Sequence, residues 1–434
     1  MNLVNLIMAL AGLSLIILIH EVGHFAAARF FRIRVLEFSI FMGPKLFSFQ
    51  GRKTTYSLRL IPFGGYVRMA GEEETSEEAD AFCQKPVWQR MIVTVSGAAF
   101  NILFALLVFT LTYAASGTYT RTVASVTPGS SAETAGILPG DRLVSYNGKR
   151  FYAYPDFDLL TYMDTDPEVA ITVRRPSEQG TKSFILVPKR IRHIMGVLMA
   201  SREGEDYNLI HEIPDPESPA AKAGLMAGDR ILSVNGEPLI RYEDLTFLLG
   251  SAGGEEVPVQ VSREGVTQTF SLTPAQERQS EYTASGLILE DIKTWNPLPN
   301  LKAATAMCLS LVRSTYLQLA WLVTGKVPAK ELRGPIGIVN VIGDVVGEVR
   351  PYGLLIILVS FMQLMALISI NIGVLQILPI PALDGGRLLT QLVEVVRRKA
   401  IPPEKEAMIT YIGFVLFILF FILVSINDIK RWIG

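Results

Sequence analysis

The stretch His20-Glu21-Val22-Gly23-His24 closes an apolar run that begins at Leu3 and reaches Ile19. On a helix, residues four apart share a face, so both imidazoles can meet one divalent metal with the Glu21 carboxylate beside them. Two neutral histidines and a carboxylate from elsewhere leave the fourth position of a tetrahedral Zn²⁺ open to water, whose pKa the ion lowers toward ~7. Glu21 is then the expected general base. In a soluble helix a match to so short a pattern often arises by chance. Here chance is a poor explanation, because each charged side chain on a lipid-facing helix costs roughly 2.5–3.5 kcal/mol and needs a partner inside a bundle.

Composition agrees with a membrane setting. The chain has 434 residues, half of them hydrophobic, and a mean hydropathy of +0.34, above what a soluble protein of this size carries. Forty Lys/Arg balance 41 Asp/Glu, so no overall charge points to nucleic acid. Cys83 and Cys308 lie far apart and flank no partner motif, which argues against a disulfide framework or a cysteine metal site. The first apolar run has no basic residues before it and no small-residue cleavage site, so it is expected to stay in the mature protein.

Four apolar runs reach spanning length, about Leu3–Ala28, Met91–Ala115, Leu354–Leu378 and Ala407–Ile426, close to the ~20 residues a spanning helix needs. Ten Lys/Arg lie between the first two runs and five between the last two. By the positive-inside rule these segments are cytoplasmic, which puts the long central region outside and the histidines toward the cytoplasmic end of their helix. Residues 35–67 alternate in part and are punctuated by Gly43-Pro44, Gly51 and Pro62-Phe63-Gly64-Gly65, a pattern for a small membrane-associated antiparallel sheet. Sheet backbone at that depth must lie against the helices, and its edge could take up an extended peptide strand. Glu72–Asp80 reads as an acidic loop with little folding signal. Asn101, in the second run beside Gly97-Ala98, is expected to bond a neighbour or a group in a cavity.

From about 120 to 290 the chain turns polar and repeats itself. Ser130–Gly148 recurs as Ser218–Gly236, with Gly136 and Gly224 offset by 88 residues, one small domain per copy. A short helix, a Gly-Asp turn and a strand closing on Asn-Gly resemble tandem PDZ domains, expected at 116–205 and 206–290. Trp295–Val327, within a 291–353 segment, reads as a juxtamembrane amphipathic helix. Residues 354–434 then hold the last two spans. Between those spans Pro379, Pro381, Gly385 and Gly386 surround Asp384. They break the helix at an ordered turn, and as third ligand of the His20/His24 metal the acid would be compensated.

The His-Glu-x-x-His helix, the later Leu383-Asp384-Gly385 turn and the intervening repeats together resemble the site-2 protease family of intramembrane zinc metalloproteases. The four-span layout with two PDZ copies resembles its Gram-negative regulator-of-sigma-E branch. The resemblance covers essentially the whole chain. It implies Zn²⁺ held by His20, His24 and Asp384, Glu21 as catalytic acid/base, and Asn371, Gln376 and Asn101 as substrate contacts. The family often has Asn where this chain has Gln376, and Gly-Pro where it has Gly97-Ala98. The implied fold is an α-helical polytopic protein with 1–115 carrying the first two spans and the sheet, two inserted periplasmic PDZ-like α+β domains, and the last two spans at the end. The implied substrates are single-span proteins in the bacterial inner membrane, notably a trimmed anti-sigma factor, and remnant signal peptides. The lipid bilayer is the other partner, and nucleic acid is not one. A catalytically silent PDZ scaffold has no use for the four polar residues together. A metal-ion transporter would show an inverted repeat, which is not evident here.

Overall fold

The computed structural model describes residues 3–419, apart from 73, 162–167, 189–190, 200–205, 241–243, 252–253, 279–283, 327–334, 350–352, 403 and 416–417. The chain divides into two compact units. One comprises Met1–Thr120, Tyr152–Asp156 and Asp291–Gly434, the other Arg121–Phe151 and Phe157–Glu290.

The first unit is a helix bundle with a sheet attached. Its first two apolar runs form α1 (Leu3–Phe30) and α2 (Val87–Ser116). Helices in lipid gain little from hiding apolar surface from one another, so small residues that permit close approach decide where they touch. A Cβ built on Gly23 would stand 2.5 Å from the Ser96 carbonyl oxygen, so α1 and α2 meet at the histidine motif itself. Further along α2, Ala105, Val108 and Phe109 pack with Ala304, Cys308 and Leu311 of the helix Pro297–Val323 and with Ala366, Ile370 and Val374 of the helix Leu354–Gln376.

Among the described residues four helices are long and apolar enough to cross a membrane: Leu6–Phe30, Val87–Ser116, Pro297–Val323 and Leu354–Gln376. The third of these was expected as a juxtamembrane amphipathic segment. Its Arg313 lies 2.5 Å from the carboxylate of Asp156, which also accepts from Ser310 and from the Tyr152 and Ala153 amides. A partner so distant in sequence is invisible to local reading. The run expected as a last span, Ala407–Ile426, falls partly outside the described residues.

β1 (Val35–Gln50) and β2 (Thr55–Met69) make the sheet. Both strands bend, so that 35–40 is flanked by 65–69 on one side and 55–58 on the other, and 55–58 pairs in turn with 47–50. Gly43 at φ 83° and Gly64 at φ 78° mark the bends, a backbone region closed to most side chains. Inside the sheet, Glu37 is 4% exposed and accepts from Ser57 at 2.7 Å and Arg59 at 2.9 Å. Burial by itself raises the Glu37 carboxyl, but hydrogen bonds from Ser57, Arg59 and Tyr66 outweigh it and hold the group down at about 2. Met42, Phe47, Phe49, Leu60 and Ile61 stand exposed on the hairpin, an apolar surface suited to lipid.

The second unit holds both sequence repeats, and their local devices match residue for residue. Ser130 and Ser218 cap short helices that end at Gly136 and Gly224, both in the left-handed conformation. Asp141 and Asp229 accept from Arg175 and Arg263, each of which also donates to the glycine carbonyl. Burial opposes ionisation of both aspartates, yet the arginine hydrogen bonds outweigh it and hold each carboxyl below its ordinary value. Asn147-Gly148 and Asn235-Gly236 all have positive φ, the hairpin turn this dipeptide favours.

The strands do not respect the sequential boundaries expected near 205 and 290. Leu287–Ile292 lies beside Thr118–Val126 in the sheet of the first copy, which continues through Arg142–Tyr146, Val169–Arg174 and Lys182–Leu186. Met195 belongs to the core of the second copy with Ile231, Val259 and Leu272. The repeated sequence marks the turn and its helix. The exchanged strands carry no repeat signature, so periodicity could not assign them.

Candidate metal centre

The end of α1 presents His20 and His24 one turn apart, their Nε2 atoms 3.1 Å from each other. The third corner arrives from the far end of the chain. After the Leu354–Gln376 helix, the prolines stop regular structure, Ala382 takes φ 86°, and the helix Asp384–Arg397 begins. Asp384 Oδ2 then lies 3.0 Å from His20 Nε2 and 3.2 Å from His24 Nε2. In a tetrahedral zinc site with bonds near 2.0 Å, ligand atoms stand about 3.3 Å apart, so the triangle fits the ion. Among the described residues these three are the only His, Cys, Asp and Glu cluster with donor atoms so grouped.

The histidine rings are held from behind. His24 Nδ1 lies 2.8 Å from the Val93 carbonyl oxygen of α2, which fixes the proton on Nδ1 and leaves Nε2 for a metal. The Nδ1 of His20 faces the amide of Asn101, its nitrogen 3.5 Å away. Asn101 is 0% exposed and its Oδ1 has no hydrogen-bond partner among the described residues. Turning the amide over brings the oxygen to the His20 Nδ1 proton and satisfies both groups. Gly97 faces the same rings, and a Cβ there would lie 2.5 Å from His24 Nε2 and 2.6 Å from His20 Nε2. In the sequence this glycine was marked only by the family's frequent Gly-Pro at Gly97-Ala98.

Asp384 is fixed by the helix it opens. That helix is stitched to α2 by Arg90–Glu394 at 2.5 Å and by Gln391 donating to Thr94 at 3.0 Å. Arg387 pairs with Glu72 and lies 3.6 Å from Glu406, while Glu72 accepts from the Met69 amide. Glu72 therefore ties β2 to the Asp384 helix. In the sequence it was merely the first member of an acidic run, and nothing local set it apart.

All three corners open on a cavity of about 360 Å³ lined also by Glu21, Gly64, Gly65, Tyr66 and Gln376. Val67 of β2 lines the same cavity as Glu21. The segment 65–69 pairs with 35–40 alone, so its second edge carries no strand among the described residues. Of the other sequence candidates, Gln376 lines the cavity, whereas Asn371 accepts from Thr315 at 2.7 Å and is not among the lining residues. Asn101 lies beneath His20.

Apolar helices around such a triad define a membrane protein with a metallohydrolase type of centre. The family model described as Peptidase family M50 matches residues 8–420, and the chain belongs to this family of site-2 zinc metalloproteases. It is similar to the regulator of sigma-E protease RseP of Escherichia coli, 29% identical over 97% of this chain and 97% of that protein. It is also similar to the zinc metalloprotease RasP of Geobacillus kaustophilus, 28% identical over 96% of each. A solved PDZ domain of HtrA3 bound to a phage-derived ligand aligns with 20% of this chain and 88% of its own length, at 22% identity and a TM-score of 0.18.

Proposed function

We propose that this protein hydrolyses a peptide bond of single-span membrane proteins within the plane of a bacterial inner membrane, with His20, His24 and Asp384 as zinc ligands and Glu21 as acid/base. The observation that carries this reading is the triad of Nε2, Nε2 and Oδ2 atoms 3.0–3.2 Å apart, opening on one cavity with Glu21. When bound, zinc acts there as a Lewis acid toward the scissile carbonyl and lowers the pKa of water. Glu21 accepts the proton of the attacking water on its carboxylate and delivers it to the leaving amide nitrogen.

A helical substrate has its carbonyls occupied by internal hydrogen bonds and must unwind before attack. The unpaired edge of 65–69 supports a role in holding it extended, by backbone pairing beside Glu21. Gly64 and Gly65 keep that edge clear of side chains where a substrate backbone would approach. Gln376, on the cavity wall, is placed to bond a substrate amide. Asn371, which accepts from Thr315, lies outside the cavity wall.

The distribution of basic residues supports a cytoplasmic position for the metal centre and sheet and a periplasmic one for the PDZ-like repeats. The similarity to RseP supports a trimmed anti-sigma factor as substrate in an envelope stress response, and remnant signal peptides as further substrates. Incubation of the purified protein in detergent with a panel of single-span helices tests the reading. Cleavage inside the apolar segment that is lost on zinc removal and restored by zinc is the expected result, and cleavage insensitive to chelation refutes it.

A further inference from the structure

Away from the metal centre, basic side chains of the first unit converge on a second hollow. A cavity of about 570 Å³ is lined by Arg29, Arg32, Arg34, Lys53 and Lys85, with Asp80 the one acid. Arg34 is already engaged by Glu78 and by Asp80 at 3.8 Å. Arg29, Arg32, Lys53 and Lys85 have no acidic partner among the described residues. The positive-inside rule asks for basic residues in this loop. It does not ask that four cations without an acidic partner, from three separate segments, line one hollow, where like charges repel one another.

The depth of the hollow is marked independently. α1 ends at Phe30, which is 78% exposed, and Trp88 at the start of α2 is 54% exposed. Phe31 meets Trp88 edge to face at 5.5 Å. Exposed aromatic rings at both helix ends are the mark of the headgroup level. A strand end also supplies a firm floor, since Ile33 and Val35 are 2% and 1% exposed.

We propose that this cavity binds the phosphodiester headgroup of an anionic phospholipid. Arg29 and Arg32 offer forked N–H donors that match phosphate oxygens two at a time, and Lys53 and Lys85 add point charges. The shared chemistry is a phosphate oxyanion, and the aromatic collar favours the lipid over the free ion. A bound headgroup joins the end of α1, the turn between β1 and β2 and the approach to α2.

The test is titration of the detergent-purified protein with short-chain phosphatidylglycerol, short-chain phosphatidylcholine and inorganic phosphate, read by native mass spectrometry. One phosphatidylglycerol is expected to be retained where phosphatidylcholine is not. The variant Arg29→Gln/Arg32→Gln/Lys53→Gln/Lys85→Gln should lose retention by about tenfold or more, each membrane-surface cation counting about fivefold. A control, Arg397→Gln/Arg398→Gln/Lys399→Gln, should keep it. Zinc content equal to the parent's reports that the altered unit is folded. Should that variant lose zinc, Lys53→Gln/Lys85→Gln, which leaves α1 intact, is expected to lower retention about threefold or more. Unchanged retention in the folded variants, equal loss in the control, or displacement of phosphatidylglycerol by an equal concentration of inorganic phosphate overturns the proposal.

Discussion

At the scale of single residues, the centre separates groups that would hold a metal from groups that move protons or orient rings. Glu21→Gln keeps shape and hydrogen bonding but cannot take a proton. It is expected to retain zinc by elemental analysis and to lower kcat by about 10²–10⁴-fold. Asn101 is expected to act through His20. Asn101→Ala should weaken zinc retention against a chelator by about 10–100-fold, and Asn101→Asp, which keeps an acceptor at Nδ1, should restore most of it. Equal loss in both variants would show that Asn101 only fills space. The histidines, Glu21 and Asp384 were legible in the sequence because spacing and the cost of intramembrane charge single them out. Asn101, Gly97 and Glu72 were not legible in these positions. Their meaning comes from contacts with His20 at 3.5 Å, with both imidazoles and with Arg387, and each contact joins residues far apart in sequence.

At the scale of elements, the Asp384–Arg397 helix is held against α2 by a buried ion pair, with the Arg90 and Glu394 side chains 8% and 13% exposed. Breaking such a pair from one side leaves an uncompensated charge and costs about 3–5 kcal/mol, whereas replacing both partners by apolar groups costs far less. Arg90→Met should therefore lower the thermal midpoint in detergent, and Arg90→Met/Glu394→Leu should recover most of the loss. In the repeats the pair Asp141–Arg175 and its copy Asp229–Arg263 set a pH dependence. Both carboxyls are lowered in the folded state, so their stabilisation is fully present above the ordinary aspartate value of about 3.9 and is lost as pH falls through the lowered ones. Thermal midpoints of the repeats should be flat from pH 7 to about 5 and fall below about 4. Asp141→Asn/Asp229→Asn should lie lower at pH 7 and lose that acid slope. The repeats themselves were legible from one recurring stretch. Their exchanged strands were not, because Leu287–Ile292 and the segment around Met195 follow pairing and burial that leave no trace in the repeated pattern.

At the scale of the whole molecule, no candidate nucleophile and base come together among the described residues of the second unit, so its contribution to proteolysis is expected to be selection. A steric filter works by a clash against the wrong substrate rather than by affinity for the right one. Removing the repeats should leave zinc and hydrolysis of a trimmed helix intact while admitting a substrate that keeps a bulky periplasmic domain. The experiment has a structural requirement. Tyr152–Asp156 counts with the helical unit, and Asp156 neutralises Arg313 on the Pro297–Val323 helix. Excising 121–290 therefore takes the Asp156 carboxylate away from a largely buried arginine and would destabilise the bundle for a reason unrelated to selection. The deletion should be paired with Arg313→Met, and zinc content should be checked before any rate is compared. The measurement is the ratio of cleavage rates for untrimmed and trimmed forms of one substrate. That ratio is expected to rise toward one when the repeats are removed; if it stays at the full-length value in a zinc-loaded, active deletion, the repeats dock peptides and do not filter.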